Sequence, residues 1–409
     1  MKKIILKPGR EASAKRFHPW IFSGAVQNNE KNIPDGDPVV VYSSSGELLG
    51  TGHYQSGSIS VRLFSWGLEE PGPDLWTRKF EAALKLRKDV GLAGSVHTNA
   101  YRLVNAEGDG MPGLIVDYYN GTAVLQAHTA GMHRVREQLA GALVSMMGDE
   151  LKAVYYRGVK VRAGAAANTG GEPGGNVRAV NPAHREDQAG YLHGSRSDNV
   201  IIEHGNQFTV DWEGGQKTGF FLDQRENRRL LENYSGGQRV LNLFGYTGGF
   251  SVYALRGGAS EAVTVDSSAA AVRMAEQNVL LNFENDRRHS AVCADVFDFF
   301  RNGNGKYDLV VLDPPAFAKG LRAAGNALQA YRRVNSKAIE RVAPGGMLFT
   351  FSCTQVISRE QFRQAVFSSA ALSGREIVIL HQLSQPADHP VSIYHPEGEY
   401  LKGLVLKVY

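Results

Sequence analysis

The apolar positions of this chain change rhythm twice. Up to about residue 68 they come in short runs, Val39-Val40-Val41-Tyr42, Leu48-Leu49-Gly50-Thr51-Gly52 and Ile59-Ser60-Val61-Arg62-Leu63-Phe64, split by Pro34-Asp35-Gly36-Asp37 and Ser43-Ser44-Ser45-Gly46. Closely spaced strands with turn punctuation predict a small β-barrel or open roll. Glu70-Pro71-Gly72-Pro73-Asp74 marks its end. The spacing of Leu75, Phe80, Ala83, Leu84 and Leu86 then predicts a helix from Leu75 to about Asp89, with Asp74 as N-cap and Gly91 as stop. Strands follow at Gly113–Tyr118 and Thr122–Ala127, and Asn120-Gly121 between them is a strong hairpin signal. A helix near Met132–Met147 and a strand at Ala153–Tyr156 complete a small α+β unit over 71–199.

Residues 163–199 break every period, with seven glycines among Ala, Asn, Ser and Pro. They read as a flexible loop or long hairpin tip, either a surface insertion or a lid that orders on substrate, the insertion being the simpler reading. From about 200 to 409 strands alternate with helices. The strands are Val240–Phe244, Ala262–Asp266, Ala291–Asp295, Leu309–Asp313 and Gly346–Ser352. The helices cover 249–257, 268–282, 327–342 and 358–371, and a last pair, Arg375–Gln382 with Leu401–Val408, reads as a hairpin. That alternation predicts an α/β fold, a mostly parallel sheet wrapped by helices.

Composition adds bounds. At 409 residues the chain exceeds one ordinary domain, and 43% hydrophobic with 21% charged residues is a globular mix. No apolar run approaches the roughly 20 residues that span a bilayer. The start, Met1 to Arg10, has an apolar core of three residues, too short for a signal peptide. Two cysteines, Cys293 and Cys353, exclude a disulfide framework and a structural zinc site. A cytoplasmic protein without membrane partners or bound metal is the expectation. The net charge of +4 is mild, yet the first 20 residues hold Lys2, Lys3, Lys7, Arg10, Lys15 and Arg16 against the single acid Glu11. Taken alone, such a run is an ordinary solvated face.

The candidate chemistry sits at predicted strand ends. Val240 to Phe250 reads as a strand, a glycine-bearing turn and a helix start. Such a turn lets the backbone approach a ligand, and the helix start offers free N–H donors. Asn242, Phe244, Gly245, Tyr246, Thr247 and Gly248 are the candidate contacts there. Asp266, with Ser267 beside it, ends the next strand and suits a ribose diol; Asp295, followed by Val296, ends the third and suits an adenine amino group. The bulky turn lacks both the dinucleotide fingerprint and the P-loop lysine, so a cofactor without phosphates, S-adenosylmethionine, fits better.

Leu309-Val310-Val311-Leu312-Asp313-Pro314-Pro315-Ala316-Phe317 is a buried strand ending in Asp-Pro-Pro, whose prolines stiffen the loop that carries Asp313. Pro314, Pro315, Phe317 and Lys319 are candidate substrate contacts, and Asp313 is a candidate for cofactor and catalysis. Cys353 ends the following strand among polar Ser352, Thr354 and Gln355, whereas Cys293 lies in an apolar run and reads as a small core residue. Carbon 5 of a pyrimidine is a poor nucleophile, and adding a thiolate at carbon 6 activates it. Transfer to an exocyclic amine has no use for a cysteine. Cys353 therefore discriminates between pyrimidine-C5 chemistry and guanine-N2 chemistry.

Further stretches carry a family resemblance: Gly9-Arg10-Glu11 with His18-Pro19-Trp20-Ile21-Phe22-Ser23-Gly24; Tyr101 to Gly110; Pro112 to Asp117; Gly215-Gln216-Lys217-Thr218-Gly219-Phe220-Phe221-Leu222-Asp223-Gln224-Arg225; and Tyr400-Leu401-Lys402-Gly403. With Asp313-Pro314-Pro315 and Cys353 they resemble, over nearly the whole chain, the bacterial 23S rRNA cytosine-C5 methyltransferases of the RlmI (YccW) type. The resemblance implies three parts: an N-terminal PUA-like β-barrel over 1–70, a central α/β domain with a hairpin over 71–199, and a C-terminal class I (Rossmann-like) methyltransferase domain over 200–409. It implies ribosomal RNA of the large subunit as partner and S-adenosylmethionine as cofactor, and it is compatible with a homodimer. It turns Arg10, Lys15 and Arg16 into candidate phosphate contacts and Trp20 into a core aromatic. It places Lys217, Thr218, Gln224 and Arg225 beside the cofactor, with Lys217 and Arg225 on the methionine carboxylate. Cys353 becomes the nucleophile and Asp313 the acid that orients the base. The long glycine-rich 163–199 stretch departs from the family. Rival readings are a uracil-C5 enzyme, a guanine-N2 enzyme, and an RNA-binding assembly factor with an inactive methyltransferase fold.

Overall fold

In the computed structural model, residues 1–29, 32–158, 189–284, 286–318 and 320–409 are described. The chain divides into two units. The first contains residues 1–199, 211–219 and 388–398; the second contains 200–210, 220–387 and 399–409.

The first unit opens with six strands, β1 Lys2–Leu6, β2 Trp20–Phe22, β3 Val26–Asn29, β4 Pro38–Tyr42, β5 Leu48–Tyr54 and β6 Ile59–Ser65, with a single-turn helix α1 at Ala12–Lys15. They form one sheet in the order β2-β6-β5-β4-β1-β3. Ile4 and Leu6, Val39 and Val41, and Val61 and Leu63 alternate along their strands and are buried together, as the period of two requires. Helix α2, Pro73–Asp89, starts two residues before the expected Leu75, with Gly72 rather than Asp74 at the cap. Proline at the first helical position loses no hydrogen bond, and Asp74 instead complements the dipole in the first turn.

A second sheet of the first unit is built from β7 Ala100–Asn105, β8 Leu114–Tyr119, β9 Thr122–Ala127, β10 Ala153–Tyr156 and β11 Gly190–Gly194, in the order β11-β10-β9-β8-β7. Helices α3 Ala130–Arg134 and α4 Arg136–Met147 lie between β9 and β10 in the chain. Asn120 and Gly121 both take positive φ, 45° and 93°, and join Tyr119 to Thr122 across the β8–β9 pair. This is the mirror-image turn that Asn-Gly favours. Strand β11 corrects one expectation: part of the 163–199 stretch is regular, paired antiparallel to β10 from Gly190 to Gly194. Residues 163–188 lie outside the described residues.

In the second unit a hairpin, β12 Val200–Glu203 and β13 Asn206–Thr209, precedes helix α5 Arg225–Tyr234. Then come β14 Arg239–Leu243, α6 Gly249–Arg256, β15 Glu261–Asp266, α7 Ala269–Asn282, β16 His289–Cys293, α8 Val296–Asn302, β17 Tyr307–Leu312, α9 Ala324–Arg341, β18 Val342–Ser352, α10 Arg359–Ser373, β19 Ile377–Leu383 and β20 Lys402–Val408. The seven strands order as β16-β15-β14-β17-β18-β20-β19, with β20 antiparallel to both neighbours. Numbered from β14 this is 3-2-1-4-5-7-6. The order reverses between β14 and β17, so the crevice for a ligand lies there, outside the carboxyl ends of the strands. Val240, Leu241, Leu309, Val310, Val311, Leu348 and Phe349 are fully buried in the central strands, which is why these read as unbroken apolar runs.

Candidate active site

Strand β14 delivers the chain into a turn under backbone strain. Phe244 and Tyr246 take φ of 56° and 45°, and Gly248 takes 76°. A Cβ on Gly245 would stand 2.5 Å from Thr264 Cγ2 and 2.9 Å from Asn242 Nδ2, so only glycine lets the turn lie this flat. Non-glycine residues at positive φ are costly and persist where the fold holds them for a purpose. Asp266, at the end of β15, locks the turn: its Oδ2 accepts the Tyr246 N–H at 2.9 Å and its Oδ1 accepts the Ser268 N–H at 2.9 Å. Its carboxylate is half-buried, and each oxygen keeps a lone pair for a ribose hydroxyl.

Asp295 caps α8 through Oδ1, which accepts from the N–H groups of Phe297 and Asp298 at 2.8 and 3.3 Å. Its Oδ2 has no partner among the described residues, and the side chain is exposed. Ser267 is exposed beside Asp266. Asn242 and Thr247 are buried; the Asn242 amide donates to Ser251 Oγ, and its buried Oδ1 accepts no hydrogen bond from the described residues. Val296 packs its side chain into the core. An acid placed for the diol, a second placed for the adenine edge, a flat glycine turn and no phosphate-binding lysine in that turn fit S-adenosylmethionine.

Asp313 follows β17, and β18 is its parallel neighbour with Leu312 opposite Thr350. Asp313 Oδ2 accepts from Gln224 Nε2 at 3.0 Å, and Gln224 Oε1 accepts from Asn227 Nδ2 at 2.6 Å. Gln224 and Asn227 are buried, so the carboxylate is held by a fixed relay. Pro314 is buried and Pro315 exposed; Phe317 is half-buried and meets Tyr331 edge-on at 4.8 Å. Cys353 is half-buried one residue past β18, and its Sγ lies 4.0 Å from the Pro314 carbonyl. Tyr331 shares a 2.7 Å hydrogen bond with Thr354 Oγ1. Its hydroxyl is pushed up to about 12, first by burial and also by the charges of Cys353 and Asp313. Asn227 and Tyr331 carried no motif in the sequence; only the fold brings them here.

The remaining expected residues lie on other segments or outside the described residues. Arg225 is fully buried and forms an ion pair with Glu203, Nε to Oε2 3.4 Å. Arg228 joins the same carboxylate with bonds of 2.7 to 2.9 Å. The structure thus gives the buried Arg225 a carboxylate partner within the protein, as a buried cation needs. Lys217 and Thr218 belong to the first unit. Thr218 is buried, donates to Asp117 Oδ2 at 2.6 Å and shares a bond with Tyr119. Lys217 is exposed with φ 49°. Arg10, Lys15 and Arg16 are exposed in the first unit, and Lys15 pairs with Glu47 at 2.5 Å. Trp20 is half-buried, its indole N–H donating to Glu107 at 2.8 Å. Lys319 lies outside the described residues. Cys293 is not the core residue its apolar run suggested. It ends the edge strand β16, is exposed, and its Sγ lies 3.7 Å from the Ser267 carbonyl.

Strand order and strand-end acids together define a class I S-adenosylmethionine-dependent methyltransferase domain. Residues 147–391 match the family model of S-adenosylmethionine-dependent methyltransferases, and residues 4–66 match that of PUA-like domains. The chain is 37% identical over 416 residues to ribosomal RNA large subunit methyltransferase I of Aeromonas salmonicida, covering 99% of this chain and 98% of that protein. It is 35% identical over 415 residues to the protein of the same name from Serratia proteamaculans, covering 99% of each. A putative S-adenosylmethionine-dependent methyltransferase from Streptococcus mutans shares the fold at TM-score 0.82 over 100% of both chains, with 24% identity. The chain belongs to the S-adenosylmethionine-dependent methyltransferase family that contains ribosomal RNA large subunit methyltransferase I. Among the described residues no helix is long and apolar enough to cross a membrane.

Proposed function

We propose that this protein methylates carbon 5 of a cytosine in large-subunit ribosomal RNA, in the cytoplasm, through a transient bond between Cys353 and carbon 6. The observation that carries the reading is Cys353 at the end of β18 beside the Asp313-Pro314-Pro315 loop that follows β17. The names of the full-length relatives support the RNA substrate. Bound S-adenosylmethionine supplies a methyl group on a sulfonium, an electrophile that needs only a carbon nucleophile in line with it.

The Cys353 thiolate adds to carbon 6 of the cytosine. The electron pair of the C5=C6 bond moves toward N3, which takes a proton, and carbon 5 becomes enamine-like. Asp313, fixed by Gln224, bonds the polar edge of the base and supports that proton. Carbon 5 then bonds to the methyl group as the methyl–sulfonium bond breaks, its electron pair staying on sulfur as a neutral thioether, and N3 gives back the proton it took. A base removes the carbon 5 proton, the C5=C6 bond re-forms, and the Cys353 sulfur leaves as thiolate. Asp266, Asp295 and the turn at 244–248, fixed by their own hydrogen bonds, would hold the cofactor. Arg10 and Arg16 reach for phosphates of the RNA.

Cys353→Ala is expected to abolish methyl transfer to ribosomal RNA while leaving cofactor affinity within about twofold of wild type. RNA carrying 5-fluorocytidine is expected to trap a protein–RNA adduct that requires Cys353, because fluorine at carbon 5 cannot leave as a proton does. Full activity of Cys353→Ala sinks the covalent mechanism. An adduct with 5-fluorouridine RNA alone assigns the uracil reading instead.

A further inference from the structure

Six of the seven strands of this sheet run in one direction, and β20 runs against them, between β18 and β19. Its first residue, Lys402, therefore comes to the edge where β18 ends, opposite Ser352 and one residue from Cys353 in the register. The Lys402 side chain is buried, with 3% of its surface exposed. Its ammonium donates to the carbonyls of Thr354 and Ile357, both at 2.8 Å. Among the described residues no carboxylate forms an ion pair with it.

A buried cation without a paired carboxylate is expensive. Two carbonyls could be satisfied at lower cost by a neutral donor, so the charge itself asks for an account. The negative group it can serve is a thiolate at Cys353. We propose that Lys402 is a positioning residue that keeps Cys353 in the thiolate form: its ammonium, pinned over the turn by Thr354 and Ile357, brings a buried positive charge next to the sulfur. This rests on reading Cys353 as the nucleophile.

The groups around the pair agree. β18 and the turn bring the Ser352 and Thr354 hydroxyls and the Thr354 and Ile357 carbonyls; α9 presents the Tyr331 hydroxyl, which stays protonated. Asp313 is the negative group of the loop after β17. Arg359 at the start of α10 is tied to Glu399. Burial draws the Lys402 ammonium down to about 8, while the charges of Cys353 and Glu399 pull it back and Arg359 opposes them. It is mainly charged at neutral pH. A lysine so placed lowers a thiol below its ordinary value of about 8.5.

The test is the pH dependence of Cys353 alkylation by iodoacetamide in the full chain. Exposed Cys293 is first replaced, Cys293→Ser, so that one thiol reports. In that background the alkylation rate is expected to reach half its plateau at least about one unit below pH 8.5. Lys402→Met is expected to raise that midpoint by about one unit, which slows alkylation at pH 7 roughly tenfold. Lys402→Arg keeps the charge and is expected to stay within about threefold of the parent rate. A role confined to tying down the turn would leave the midpoint where it was. An equal midpoint in Lys402→Met overturns the proposal. So does a parent midpoint at 8.5 or above, which needs no variant to fold. Methyl transfer by Cys353→Ala tests the nucleophile separately, so failure of that reading and failure of this one are told apart.

Discussion

At the scale of single residues, the side chain that sets Asp313 is Gln224. Its amide N–H donates to Asp313 Oδ2, and its carbonyl is taken by Asn227. The amide therefore cannot flip without losing both bonds. With all three on one rigid relay, Asp313 holds its orientation before the base arrives, which is where positioning contributes to rate. Gln224→Leu fills the same space without a donor. It is expected to lower kcat by about 10- to 100-fold with KM for RNA changed less than about threefold. Steady-state kinetics on ribosomal RNA checks this. A rise in KM with kcat intact would move Gln224 from positioning Asp313 to binding substrate. The two cysteines make the same point about neighbours. Both follow apolar strands, yet Cys293 ends an edge strand and is exposed, whereas Cys353 ends a central one beside the Asp313 loop.

At the scale of elements, the central parallel strands and the turn after β14 were legible because burial on both faces writes continuous apolar runs and the glycine turn punctuates them. The Asn120-Gly121 hairpin was legible because two positive φ angles in a row demand those residues. The hairpin β12–β13 was not, since its four-residue strands follow the glycine-rich stretch and bury only alternate side chains. The burial of Arg225 was hidden for another reason: its partner Glu203 is 22 positions away on that unread hairpin. The basic start of the chain also divides once elements are known. Lys15 at the end of α1 is engaged by Glu47, whose hydrogen bond raises its pKa. Arg10 and Arg16 form no ion pair among the described residues. Removing both arginines is expected to weaken RNA binding and to lower the slope of log affinity against log salt by about one to two. Lys15→Ala is expected to change it by less than about half a unit. Titrations at several salt concentrations measure the slope. An unchanged slope in the double variant returns this segment to a solvated face.

At the scale of the whole molecule, the chain crosses between its two units five times, since 200–210, 211–219, 220–387, 388–398 and 399–409 alternate after the first 199 residues. Each unit is therefore completed by sequence-distant pieces: in the first, Arg87 donates to the Asp388 carbonyl at 2.8 Å as well as to Asp109. Both units also carry histidines that burial keeps neutral. His53 in the first is drawn down to about 4 by desolvation, with Arg134 adding to it. In the second, burial draws His204 and His289 to about 4, against the pull of Glu203 and Asp286 respectively. The unfolded chain takes up these protons near pH 6.5 and the folded chain only near 4. Between those values the unfolded state binds more protons, so stability is full above pH 6.5 and falls as the pH drops toward 4. Neither unit is exempt, and the crossings leave neither one continuous in sequence. The urea midpoint is therefore expected to be lower at pH 5 than at pH 7.5. His53→Gln, which removes the titrating group from the first unit, is expected to narrow that difference. A midpoint that holds steady from pH 7.5 to 5 would mean that these rings bind protons equally in both states.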